Sequence, residues 1–100
     1  MVGVIAPWNF PAAIPAWKSA PALVFGNAVV LKLADDAPLS GLVFARALQD
    51  AGLPPGVLSV VLGEGDVVGA ALVRHPGVGA ITFTGSTAIG RQIAAKAGAH

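Results

Sequence analysis

The 100 residues predict an α/β fold, a Rossmann-like doubly wound parallel sheet that makes up part of a domain. Three observations predict it. Short apolar runs rich in Val and Ile recur four times, without the polar alternation of a strand that has one wet face. A tract of helical character follows each run. Glycine and proline gather at the junctions between them.

Val2 to Ile5 is the first run, a buried strand. Ala12 to Phe25 reads as a mostly apolar helix, ended by Gly26 in the left-handed position past a helix end. Ala28 to Lys32 is the second strand. Pro38 and Leu39 open a helix that runs to about Ala51 and closes at Gly52. Pro54, Pro55 and Gly56 punctuate the connection to a third strand, Val57 to Leu62. The turn from Gly63 to Gly69 leads into a short helix that reaches Arg74, where His75-Pro76-Gly77 breaks it. Val78 to Phe83 is the fourth strand, and Ser86 to Lys96 the last helix, with Ser86 or Thr87 as its N-cap.

Composition restricts the functional classes. Charged residues make up 11% of the chain against roughly 25% in an average domain, and hydrophobic residues 55%. So few polar groups cover one small domain poorly. The net charge of +1 leaves no footprint for nucleic acid, and Lys18, Lys32, Arg46, Arg74, Arg91 and Lys96 are scattered. There is no cysteine, so no disulfide or thiolate metal site is expected, and His75 and His100 are too isolated to suggest a metal. No basic segment precedes Val2, and the apolar stretch from Ala20 to Leu31 is too short for the ~18–20 residues that span a bilayer. A cytoplasmic protein without membrane contact is expected.

Ligands of such sheets bind beyond the carboxyl ends of the strands. Asn9 stands there in Ala6-Pro7-Trp8-Asn9-Phe10-Pro11, on a turn stiffened by two prolines. Its amide either caps the following helix or donates to a developing oxyanion. Lys32 ends the second strand and either snorkels into water or reaches ribose and phosphate oxygens. Gly63-Glu64-Gly65-Asp66-Val67-Val68-Gly69 misses the dinucleotide fingerprint by one residue, and its two carboxylates would repel a pyrophosphate. Gly85-Ser86-Thr87-Ala88-Ile89-Gly90 opens the last helix, where free N–H groups and the helix dipole favour an anion.

The hexapeptide Ala6–Pro11, with Ala20-Pro21-Ala22-Leu23, Gly26-Asn27, Val30-Leu31-Lys32, Ala51 to Val57, His75-Pro76 and Phe83-Thr84-Gly85-Ser86-Thr87, resembles the NAD(P)-dependent aldehyde dehydrogenases in order and spacing. The likeness runs from Val2 to about Ala97. It implies that Asn9 is the oxyanion donor and that Trp8 lies on the cofactor side. It further implies that Lys32 contacts the adenosine ribose, that Gly65 lies by the adenosine half, that Gly85 and Ser86 hold the pyrophosphate, and that Ile89 packs on the adenine. The implied cofactor is NAD, with NADP as the alternative. The implied reaction oxidises an aldehyde to a carboxylic acid in a homo-oligomeric parent enzyme, a cysteine thiolate outside this chain attacking the aldehyde. On that reading residues 1–100 are a fragment of the NAD(P)-binding domain, inactive alone, and the catalytic domain lies elsewhere. A nucleotide-binding module or inert remnant is the competing expectation, and a reductase of activated acyl groups a third.

After Lys32 the chain departs from the family's Lys-Pro-Ala/Ser-Glu-x-Thr-Pro, reading Leu33-Ala34-Asp35-Asp36-Ala37-Pro38 instead. Asp35 takes the place of the glutamate that accepts from the ribose hydroxyls, and its charge disfavours a 2′-phosphate, so NAD is expected over NADP. Leu33 restores an N–H and is expected to loosen the turn. Lys18 resembles a family lysine near the active centre, yet reads more simply as a solvated helix lysine.

Overall fold

The computed structural model describes residues 1–99; His100, for which no metal role is expected, lies outside them. Four strands, β1 (Val2–Ile5), β2 (Val29–Lys32), β3 (Leu58–Val61) and β4 (Ala80–Phe83), form one sheet of order β3-β2-β1-β4. All three pairings are parallel, Val4 lying opposite Leu31 on one side and Thr82 on the other. The helices are α1 (Ala13–Val24), α2 (Pro38–Asp50), α3 (Ala70–Arg74) and α4 (Thr87–Ala97). The strands are shorter than expected only at their ends, since Ala28 and Val57 still serve the ladder: their carbonyls accept from Val2 and Val29 at 2.8 Å.

Strand side chains alternate between two cores. Val4, Val29, Leu31 and Leu33 face Ala22 and Leu23 of α1 and Leu42 and Phe44 of α2. On the opposite face Ile5 packs with Leu72 and Val73 of α3 and with Ile93 and Ala97 of α4. The sheet is doubly wound, and the unbroken apolar runs follow from burial on both faces.

Two glycines close helices as expected. Gly26 and Gly52 have φ of +85° and +103°. Around each the chain forms a Schellman turn: Asn27 donates to the Ala22 carbonyl and Gly26 to Leu23, and Leu53 donates to Leu48 and Gly52 to Gln49. Pro38 occupies the first turn of α2, where its missing N–H costs nothing.

The segment after β3 differs from expectation. Instead of one short helix, Gly65–Gly69 form a π-helical turn that runs into α3, and the Ala70 N–H donates to the Gly65 carbonyl five residues back. Two glycines in five residues give the turn little propensity for tighter α-winding. Gly69 is buried, with Ile5 against its vacant Cβ position.

Replacing Gly52 by Ala forces a left-handed backbone onto a residue with a Cβ, although open space surrounds the position. A loss of about 1–2 kcal/mol is expected in urea unfolding, and Asn should recover part of it. An unchanged midpoint would show that the Schellman turn does not constrain α2.

Candidate functional site

The strand order reverses between β1 and β4: two crossovers lead outward from β1 to β3, and the third returns to its other side. At that switch the carboxyl ends diverge and leave a crevice. A groove of about 650 Å³ occupies it, within the range of small-molecule sites. Its floor is fixed by the backbone. Ala6 donates to the Lys32 carbonyl at 3.2 Å and Thr84 to the Ile5 carbonyl at 3.1 Å, so the turns after β1 and β4 are pinned side by side.

Of the residues singled out in the sequence, Trp8, Asn9, Gly65, Gly85, Ser86 and Ile89 line this groove together. Asn9 is exposed. The N-cap of α1 is Ala12, with no side-chain cap, so the capping role weighed for Asn9 is not the one it plays. Ser86 is the N-cap of α4, and its Oγ accepts from the Ile89 N–H at 3.3 Å. The Gly90 N–H donates to the Ser86 carbonyl, which leaves the Thr87 and Ala88 N–H groups as the orphan donors of the first turn. Gly85 lies against the Phe83 ring, and a Cβ there would stand 2.6 Å from its Cζ and force the ring to shift.

Lys32 and Asp35 do not line the groove. Lys32 is 5% exposed and does not snorkel. Its ammonium donates to the Leu33 carbonyl at 2.9 Å and lies 3.7 Å from Oδ1 of the half-exposed Asp35. Ala34 and Asp36 of the same turn reach the groove instead. Leu33 does not loosen that turn. Its N–H donates to the Val61 carbonyl at 3.4 Å, and its side chain is 1% exposed beneath Gly41.

Lys18 is half-buried rather than solvated, and donates to Oγ1 of Thr82 at 3.0 Å. The two help line a second groove of about 510 Å³ between α1 and β4, beside Trp17. Sequence reasoning missed Asp36, because two adjacent carboxylates at a strand end look alike until the path of the turn is known. It also missed Thr82, whose partnership with α1 was implicit in the alternation along β4.

The aldehyde dehydrogenase family matches residues 1–100, the whole chain. This chain belongs to that family. It is 59% identical over 96 residues to the 3,6-anhydro-α-L-galactose dehydrogenase of Streptomyces coelicolor, covering 96% of this chain and 20% of that protein. Among solved structures, the NAD-dependent benzaldehyde dehydrogenase of Corynebacterium glutamicum superimposes with a TM-score of 0.91 at 47% identity, over 96% of this chain and 21% of that one. The NADP-dependent glyceraldehyde-3-phosphate dehydrogenase of Bacillus halodurans, solved with NADP, gives 0.93 at 51% identity, over 96% and 20%. The chain thus spans about a fifth of the length of the dehydrogenases it matches.

The cap at α4 gives a direct check of the site's geometry. Ser86→Ala should lower stability by about 1 kcal/mol, while Ser86→Asp, which can still accept from the Ile89 N–H, should keep most of it. Equal urea midpoints for all three proteins would mean that the hydroxyl does not hold this helix end.

Proposed function

We propose that this chain forms the nucleotide-binding sheet of an NAD(P)-dependent aldehyde dehydrogenase and supplies its oxyanion donor, Asn9. The observation that carries the reading is the meeting of Asn9 with the Gly85-Ser86 turn in one groove at the switch between β1 and β4. The groove fits a dinucleotide in kind. It offers the amino end of an 11-residue helix for phosphate, glycines at 65 and 85 for close backbone approach, and Trp8 and Ile89 as apolar surfaces.

Each residue then has a task. The Thr87 and Ala88 N–H groups and the Ser86 hydroxyl hold the pyrophosphate. Ile89 gives the adenine an apolar wall, and Gly65 leaves room beside the adenosine. Lys32 and Asp35 fix the turn that presents Ala34 and Asp36. Bound NAD or NADP supplies a two-electron acceptor. Asn9 donates from its side-chain amide to the oxygen of an aldehyde under attack, stabilising charge as it develops. The sequence contains no cysteine, so the thiolate nucleophile of this reading comes from outside these 100 residues. A homo-oligomeric parent belongs to the same reading, supported by the large apolar side chains that Val24, Phe25, Leu39 and Val43 leave on the surface.

Titration of NAD into the Trp17→Phe chain, read through Trp8 emission, tests the binding role. Saturable quenching is expected, since Trp8 lines the groove. A linear response would leave the chain without a nucleotide site. In the complete enzyme, Asn9→Ala should lower turnover by about 10²–10³ with NAD affinity nearly unchanged. Full turnover in that variant would remove Asn9 from the mechanism.

A further inference from the structure

The groove at the switch between β1 and β4 has a neighbour. A cavity of about 260 Å³ shares Ile5, Gly65, Phe83 and Ile89 with it, and so forms a side pocket of the groove. One wall of this pocket is α4, at Gln92, Ile93 and Lys96. The other is the π-helical turn at Gly65–Gly69.

That turn is loosely held. Its winding changes between two consecutive carbonyls: Glu64 accepts from Val67 and Val68, three and four residues on, and Gly65 accepts from Ala70, five on. Such a turn is one hydrogen-bond register away from an α-helix. Outside the chain neighbours, no atom lies within 4 Å of the vacant Cβ position of Gly65, and only Ile5, at 4.0 Å, meets that of Gly69. Gly63, with φ +137°, gives the segment a hinge at its start. Asp66 on the turn and Lys96 on α4 are exposed, carry opposite charges and line the same pocket. Among the described residues they form no ion pair. We propose that residues 63–69 are a strap that closes the side pocket when the groove is filled, rewinding from π to α and bringing Asp66 to Lys96. A ligand shifts such an equilibrium only through contacts that differ between the two states. One that passes Gly65 and Ile89 into the side pocket supplies the packing surface that the open strap lacks. The identity of that ligand rests on the dinucleotide reading given above, whereas the two states of the strap belong to the chain alone.

The chain contains no cysteine, so V67C and A95C together place spin labels at two positions only, both exposed and both leaving Asp66 and Lys96 intact. Pulsed electron paramagnetic resonance then reads the distance between strap and α4. Two distances are expected, the shorter gaining population as NAD is added. G69A should raise the shorter population about fourfold, since alanine favours α-winding and the position has room for a methyl group. D66N should lower it about twofold, the scale of an exposed ion pair. A single distance that neither substitution nor NAD moves overturns the strap. Saturable quenching of Trp8 by NAD in the Trp17→Phe chain, with no gain in the shorter distance, overturns it as well and leaves the dinucleotide reading in place. Without saturable quenching the dinucleotide reading fails by itself. Two distances that respond to G69A and D66N then uphold the strap, and one fixed distance removes it.

Discussion

The rest of the structure depends on β1 being paired on both sides. A four-residue strand flanked by β2 and β4 in parallel must bury both of its faces. Val4 fills one core and Ile5 the other, while Gly3 between β2 and β4 carries no side chain. A Cβ on Gly3 would stand 2.7 Å from Ile81 and 3.1 Å from Leu72. Position 3 thus leaves room for the Ile81 and Leu72 side chains, which a Cβ there would force to shift. The parallel pairing of Ile5 with Phe83, and the Thr84 N–H donating to the Ile5 carbonyl, place the turn after β4 beside the turn after β1. The groove is a consequence of this constraint, since Asn9 and Ser86 lie far apart in sequence and meet nowhere else.

The turn after β2 shows how the fold holds a charged group without exposing it. Burying an ammonium is costly unless it is paired and hydrogen-bonded. Lys32 meets that requirement locally, through the Leu33 carbonyl and Asp35. Leu33 in turn is tied to Val61 through its N–H and covered by α2 at Gly41, where any Cβ would collide with the leucine side chain. Where the family carries a proline, this chain fixes the turn by a ladder bond and a buried side chain. Rigidity is kept by a different device, and the path that results brings Asp36 to the groove.

Much of this was legible in the sequence, for identifiable reasons. The strands were readable because burial on both faces removes polar alternation. The ends of α1 and α2 were readable because Gly26 and Gly52 take backbone angles that side chains resist. The π-helical turn at Gly65–Gly69 was not, because glycines signal a break without specifying the width of the turn that follows. Lys18 was misread because a helix lysine beside Trp17 shows no sign in sequence of the Thr82 hydroxyl that receives it. Asp36 escaped notice because a match to a family pattern assigns roles by position. The pairing of Asp35 with Lys32 depends on a turn whose shape that pattern does not contain.

The exposure of Asn9 bears on what its amide can do. A hydrogen-bond donor stabilises a developing oxyanion strongly where water is excluded, and weakly where water competes. In this chain Asn9 is exposed, and its neighbours Trp8 and Phe10 are 64% and 55% exposed. Two large aromatic side chains beside an amide are poor partners for water and good ones for a covering surface. With only 11% charged residues, the chain has little polar surface to spend on solvating such a rim. Asn9 lines the groove, and a cover over Trp8 and Phe10 would lower the local dielectric. In the proposed reading, binding of a dinucleotide would use the end of α4 and the glycine turns. In the same reading, oxyanion stabilisation by Asn9 would need that cover as well, so the two proposed roles make different physical demands on one groove.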